Sequence, residues 1–310
     1  MEDVEATSKS IESMEIRGAG KIARSAALAL SSMAKGYMGD DFHRDIRNAA
    51  ERLLATRPTA VSLHNAVAYS LRGLDEVRDV GKARHLVMNN AKNFVERSED
   101  AIEKIIEMAS NRVPSSSKVL THCNSTAAVV SIVRAFQKGK LDMAYCTESR
   151  PKRQGLITSK QLADAGVPVT MIVDSAVRFI MPKIDMVIVG ADTIASNGAV
   201  VNKIGTSQVA LCAHEARVPV TVCAESYKFS PMTLMGERID IEERPPSEIM
   251  DPAKLPGVRF FNPVFDFTPP EYVDAVITEF GVMSPYTAYE LIVREFADRA
   301  LTEGTGRSRR

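Results

Sequence analysis

From about residue 11 to about residue 110, apolar side chains recur three and four positions apart, the spacing of an amphipathic helix. The segments Lys21–Lys35, Phe42–Ala55, Ala60–Arg72 and Gly81–Asn111 carry this period, and few β-branched runs interrupt them. Arg112-Val-Pro-Ser-Ser-Ser117 then breaks it. Pro114 cannot continue a helix, and the serines offer turn and capping oxygens. Beyond this linker the texture changes to short apolar runs. Lys118–His122, Met143–Thr147, Pro168–Val173, Met186–Val189, Pro219–Ala224 and Ala275–Thr278 are predicted strands. Helical stretches separate them at Ser125–Gln137, Ser159–Ala165, Ser175–Met181, Thr206–Ala216 and Pro285–Leu301. Thr158 and Gln161 have capping-box spacing before a helix that stops at Gly166, and Ser284-Pro285 opens the last one.

Continuous apolar strands alternating with helices imply a parallel sheet covered on both faces. The predicted class is α/β: a helical N-terminal domain over residues 1–113, then a Rossmann-like, doubly wound parallel sheet domain over residues 114–310. Ligands of such sheets sit beyond the carboxyl ends of the strands, so candidate chemistry belongs there. The polar tail Glu303–Arg310 is expected to be disordered.

Composition narrows the partners. Thirty-nine basic residues balance thirty-nine acidic ones, which gives no long-range field for nucleic acid or an anionic membrane. Small anions, needing only a few local cations, remain suitable ligands. No run approaches the length of a membrane span, and the acidic, polar start lacks a signal-peptide apolar block. A cytoplasmic protein with free thiols is expected. The four cysteines form no CxxC pair and have no His at ligand spacing, so no metal site is expected.

Gly18-Ala-Gly20-Lys-Ile-Ala23 fits the loose form GxGxxA, with Asp40 and Asp41 following. No apolar strand precedes it, which rules out a dinucleotide fingerprint. What survives is Arg17 beside a glycine turn at a helix start, a plausible phosphate contact. Cys123 ends one predicted strand directly before Asn124-Ser125 and an apolar helix. A thiol at a helix N-terminus is favoured as thiolate by the dipole, and the amides of Ser125, Thr126 and Ala127 suit a phosphate. A buried structural cysteine is the alternative; Cys146, Cys212 and Cys223, inside apolar runs, fit it well. Asp192 ends Met186-Val-Ile-Val-Gly-Ala-Asp192. Most such aspartates cap helices, but its apolar neighbours favour a carboxyl of raised pKa, as a general acid needs.

Asn202-Lys203, before a helix opening near Gly205-Thr206, reads as a ligand-facing pair. Arg57 precedes Pro58 at a predicted helix start. Arg150, Lys152 and Arg153 follow one strand and Lys228 another. A single such cation is usually solvated. Several at the ends of different strands suit a doubly phosphorylated ligand. No triad emerges, because His122 is the only histidine beside a candidate nucleophile and strand neighbours point to opposite faces.

Thr121-His-Cys123-Asn-Ser125, Glu148-Ser-Arg150-Pro151, Gln154-Gly155, Gly190-Ala-Asp192-Thr-Ile194, Asn197-Gly198, Asn202-Lys-Ile-Gly-Thr206, Ala224-Glu-Ser-Tyr-Lys-Phe229 and Phe265-Asp-Phe-Thr-Pro-Pro270 together resemble one superfamily. It contains the archaeal ribose 1,5-bisphosphate isomerases, the methylthioribose 1-phosphate isomerases and the regulatory subunits of the eukaryotic initiation factor 2B exchange complex. The resemblance covers nearly the whole chain and is densest from Thr121 to Phe229. Its isomerases carry a Cys after the first sheet strand and an Asp in the Gly-Ala-Asp motif, a pair the regulators generally lack. Cys123 and Asp192 therefore imply an enzyme. Ser125-Thr-Ala-Ala128 in place of a Gly-rich stretch, and Tyr227-Lys228-Phe229, look more like the bisphosphate isomerases.

The resemblance implies conversion of ribose 1,5-bisphosphate to ribulose 1,5-bisphosphate in AMP and nucleoside salvage. The methylthioribose isomerase and the non-catalytic regulatory subunit are the alternatives. It implies substrate contacts by Arg17, Gly18, Ala19, Gly20, Arg57, Ser125, Thr126, Ala127, Asn202, Lys203 and Lys228. It also implies no cofactor, activation by AMP, and a homo-oligomer, a hexamer assembled as a trimer of dimers. A 1-phosphorylated sugar cannot open its ring spontaneously, because the anomeric oxygen is blocked. An acid must protonate the ring oxygen while a base removes the C2 proton, giving a phosphoenolate. The expected division is Asp192 as acid and Cys123 thiolate as base.

Overall fold

The apolar period of the first hundred residues does build helices: α1 (Glu2–Glu12), α2 (Ala19–Lys35), α3 (Phe42–Thr56), α4 (Val61–Ser70) and α5 (Val80–Arg112). The computed structural model describes residues 2–296 and forms two units, one ending at Ala101 and the other beginning at Ile102, within α5. In the first unit Ile11, Leu30, Ile46, Leu53 and Leu63 are fully buried, each burial worth roughly 1.5–3 kcal/mol. Asp41 caps α3, its carboxylate accepting the Arg44 N–H at 3.1 Å. Helix α1 was not expected. Only Val4, Ser8 and Ile11 mark its inner face, and Arg52 of α3 joins its Glu5 and Glu12 at 3.0 and 2.7 Å.

The second unit is built on a sheet in the order β10-β9-β7-β4-β1-β2-β3. Its strands are β1 (Ser117–Thr121), β2 (Leu141–Thr147), β3 (Val169–Ile172), β4 (Met186–Gly190), β7 (Val220–Cys223), β9 (Ala275–Thr278) and β10 (Gly281–Met283). All pair in parallel except the short edge strand β10. Alternation along the strands loads both faces. Val119 and Ile188 pack with Ile105 and Ala109 of α5 and with Ile132 of α6 (Thr126–Gln137). Leu120, Val187 and Val189 pack with Val209 and Ala213 of α9 (Thr206–Ala216). Helix α7 (Gly155–Asp164) begins earlier than expected, and the expected Ser175–Met181 helix reduces to α8 (Val177–Ile180) flanked by 3-10 turns. A Cβ on Gly155 would lie 1.8 Å from the Thr147 carbonyl oxygen, so only glycine lets α7 start against β2.

A small antiparallel sheet was also not expected. It joins β5 (Thr193–Ile194), β6 (Val200–Lys203) and β8 (Phe265–Thr268), with Asn202 opposite Asp266 and Lys203 opposite Phe265. The chain is helical again over residues 288–296; the expected helix end at Leu301 and the tail Glu303–Arg310 lie outside the described residues. Among the described residues no helix is long and apolar enough to cross a membrane.

Candidate active site

After β1 the chain passes to β2 and β3 on one side, whereas β4, β7 and β9 lie on the other. The crevice of such a sheet opens where the order reverses, between β1 and β4. Cys123 follows β1 and Asp192 follows β4, so the topology brings both to this crevice. Gly190 keeps it narrow, because a Cβ there would sit 2.4 Å from Ser125 Oγ.

Cys123 occupies a left-handed turn at φ 65°, a conformation that costs an ordinary residue roughly 1–2 kcal/mol. Hydrogen bonds on both sides hold it. The Cys123 N–H donates to Ser149 Oγ at 2.8 Å, and Thr158 Oγ1 donates to the Cys123 carbonyl at 2.7 Å. Asn124 Nδ2 donates to Thr158 Oγ1 at 2.9 Å and to Gln161 Oε1 at 2.8 Å. Thr158 and Gln161 therefore form no capping box; they lie within α7 and clamp the cysteine turn. Asp174, just past β3, fixes the other side by accepting the N–H groups of Ser149 and Arg150, each at 2.8 Å. Sequence reasoning missed Ser149 and Asp174. Their signal was position, since both directly follow strands that end at this edge.

Cys123 is not at the helix N-terminus that was expected to favour its thiolate. The N-cap of α6 is Ser125, whose Oγ accepts the Ala128 N–H at 3.4 Å, so Cys123 stands outside the helix. Burial pushes the Cys123 thiol up to about 11, against the pull of the Lys203 ammonium and the Asn124 N–H. The charges of Asp192 and Asp174 add to the rise, which also places the Asp192 carboxylate within electrostatic reach of the sulfur. Burial therefore favours the thiol form of Cys123.

Lys203 ends β6, is 9% exposed, and holds Nζ 5.3 Å over the Phe265 ring. Asn202 donates to Thr206 Oγ1 at 3.0 Å. Asp266 caps α9, accepting the Gly205 N–H at 2.7 Å and the Ser207 N–H at 3.1 Å. Burial raises Asp266 to about 6, although those N–H groups and Lys203 oppose it. Ser125, Thr126 and Ala127 form the start of α6 at the same edge, with Thr126 exposed and Ala127 buried.

Lys228, Arg150, Lys152 and Arg153 are engaged by the protein. Lys228 is buried in an ion pair with Glu225 at 2.7 Å, and Tyr227 also donates to Glu225, at 2.9 Å. Burial acts to raise Glu225, but Lys228 and these hydrogen bonds carry it below the usual carboxylate range. Arg150, Lys152 and Arg153 do not project over the edge as a cationic cluster. Arg150 donates to the Ile249 carbonyl at 3.1 Å, Lys152 pairs with Glu248 at 3.2 Å, and Arg153 lies 3.9 Å from Glu148. In the first unit Arg17, Gly18, Ala19 and Gly20 form the turn into α2. Gly18 is at φ 88°, and Arg17 is exposed. Arg57 caps the end of α3 rather than opening a helix. It reaches Met14 Sδ at 3.6 Å, in the chain just before that turn. Among the described residues no group of three or more His, Cys, Asp or Glu could hold a metal ion.

Comparison with known proteins agrees with this architecture. A curated ribose 1,5-bisphosphate isomerase of Archaeoglobus fulgidus is 48% identical over 98% of this chain and 96% of its own. The protein of that name from Methanocaldococcus jannaschii is 46% identical, over 96% of each chain. The crystal structure of the Pyrococcus horikoshii OT3 translation initiation factor eIF-2B superposes with a TM-score of 0.81 at 28% identity, covering 92% of this chain and 98% of that one. The profile of the Initiation factor 2 subunit family matches residues 15–285. The chain belongs to the initiation factor 2 subunit family.

Proposed function

We propose that the protein is an aldose–ketose isomerase that converts ribose 1,5-bisphosphate to ribulose 1,5-bisphosphate, within nucleotide salvage. The near full-length identity to archaeal enzymes of that name supports the substrate. The observation that carries the chemistry is the placement of Cys123 and Asp192 at the ends of the adjacent strands β1 and β4, each within the other's field.

Burial of the Cys123 thiol favours a division of labour opposite to the one expected from the sequence. The buried Cys123 thiol is the acid and protonates the ring oxygen as its bond to C1 breaks. The Asp192 carboxylate is the base and removes the C2 proton, so that C1 and C2 become doubly bonded in an open-chain phosphoenol. The Cys123 thiolate then takes the enol hydroxyl proton, and Asp192 returns a proton to C1. Both groups regain their starting states, and C2 becomes the ketone. Lys203, Asn202 and the start of α6 at Ser125 to Ala127 are proposed to bind phosphate. Contacts by Arg17 to Gly20, Arg57 and Lys228 are separate proposals, each tested by the KM of its variant.

Supplying purified protein with ribose 1,5-bisphosphate, and 5-methylthioribose 1-phosphate as control, tests the substrate. Ribulose 1,5-bisphosphate should form and the monophosphate should react far more slowly. The opposite preference would favour the methylthioribose isomerase, and no turnover with retained ligand binding a regulatory subunit. We propose further that the enzyme is cytoplasmic, uses no resident cofactor, is activated by AMP and assembles as a hexamer of three dimers. Sedimentation and turnover with and without AMP check the last two.

A further inference from the structure

Cys123, Ser149, Thr147 and His122 form a continuous chain of hydrogen bonds whose direction is fixed. The Ile204 carbonyl can only accept, so the His122 proton sits on Nε2, 2.8 Å away. Burial holds His122 below the usual histidine pKa, although the Ile204 carbonyl and Asp174 act the other way. The ring is therefore neutral, and Nδ1 carries a lone pair. The Thr147 hydroxyl donates to it at 2.6 Å. Thr147 Oγ1 is left to accept, and takes the Ser149 hydroxyl at 3.1 Å. Ser149 Oγ then accepts the Cys123 N–H at 2.8 Å. Every donor in the series has one acceptor, and Thr147 and Ser149 are fully buried.

The far end of this chain is Ile204, the residue after Lys203. Its junction with His122 is tight: Gly205 is at φ 102°, and a Cβ there would lie 2.9 Å from the imidazole Cε1. We propose that His122 and Thr147 are positioning residues, forming a strut that registers the Cys123 turn against the Lys203-Ile204-Gly205 segment. The sulfur and the ammonium thereby meet one substrate from fixed places. This rests on the reading of Cys123 as the acid. It assigns no proton transfer to His122, whose two nitrogens are both engaged.

Thr147→Val keeps the shape of the side chain and breaks the strut in the middle, whereas Thr147→Ser keeps the hydroxyl. Two readouts are taken on the full chain: kcat and KM with ribose 1,5-bisphosphate, and the alkylation rate of Cys123 by iodoacetamide, located by peptide mass mapping. Leaving buried partners unpaired should loosen the turn. Thr147→Val should then lose about tenfold to hundredfold in kcat, keep KM within about threefold, and alkylate at Cys123 about tenfold faster. Thr147→Ser should stay within about threefold of wild type in all three. Ser149→Ala, which removes the oxygen that accepts the Cys123 N–H, should behave like Thr147→Val and serves if that variant does not fold. Wild-type kcat and alkylation in Thr147→Val, or equal losses in Val and Ser variants, would overturn the strut. Alkylation needs no substrate, so failure of the isomerase reading would show as absent turnover while alkylation still decides this inference.

Discussion

The ends of β1 and β7 make an instructive pair. Each leads to a cysteine in the field of an acid and a lysine, and burial raises both thiols, Cys123 to about 11 and Cys223 to about 12. At β7 the set is closed. Cys223 lies inside the strand with no exposed surface, and Glu225 and Lys228 neutralise each other at 2.7 Å. The end of β1 is arranged differently. Cys123 stands in a left-handed turn past the strand, Asp192 comes from the neighbouring strand, and Lys203 sits over an aromatic ring. Residue types at a strand end do not make a reactive site. What matters is whether the thiol lies inside the ladder or has left it.

The largest expected contrast is in turnover. Cys123→Ser and Asp192→Asn should each lose about 10²–10⁴ in kcat while remaining folded, as removal of an acid or base does. Cys223→Ser should keep kcat within about threefold and lower stability by about 1–3 kcal/mol, having placed a hydroxyl in an apolar site. Equal activity losses at the two cysteines, measured with circular dichroism as a folding control, would erase the distinction.

The lysines should separate next. Lys228→Met leaves Glu225 as a buried, uncompensated charge and should destabilise by about 3–5 kcal/mol in urea unfolding. The double variant Glu225→Gln with Lys228→Met should recover most of that. Lys203→Met should instead raise KM by about tenfold or more, through loss of charge-assisted contacts to phosphate. A Lys228 variant that is stable but has a raised KM would support the substrate contact proposed for Lys228 rather than a purely structural role.

The smallest effect is a pH dependence. Asp266 is raised to about 6 in the folded protein, above its unfolded value, so the folded state holds this proton more tightly. Its contribution to stability is therefore present below the unfolded carboxyl pKa and is lost as pH rises through about 6. Glu225 is lowered, and its contribution runs the other way, being lost as pH falls through the carboxylate range. The difference in urea midpoint between wild type and Asp266→Asn, followed across pH, should show the first slope. A flat difference would remove Asp266 as a buried titrating cap.

Much of the fold was legible because long apolar periods and continuous strands are local signals. Ala275–Thr278 and Thr206–Ala216 match their predicted bounds. Helix α1 was not legible, since its inner face has two apolar residues and an ion pair with α3 supplies the rest. The β5-β6-β8 sheet was not legible either, because β5 has only two residues and β6 pairs with β8, far away in the chain. At the site, Cys123, Asp192 and Asn202-Lys203 could be found because each ends a strand or opens a helix at the ligand edge. The charge state of Cys123 could not, because it depends on burial by elements that sequence adjacency does not reveal. Thr158 and Gln161 show the same limit: their spacing fits a cap, yet an earlier helix start turns them into a clamp.

The central claim is that a neutral thiol at the end of β1 acts on the same sugar as a carboxylate at the end of β4. The rate of ribulose 1,5-bisphosphate formation against pH, for wild type and Cys123→Ala, tests it most directly. The account predicts wild-type turnover that persists to about pH 9 and declines as the pH approaches about 11, with Cys123→Ala lower throughout by at least about a hundredfold. A rate that climbs with a pKa below about 8, as a thiolate base requires, or near-equal rates for the two proteins, would contradict it.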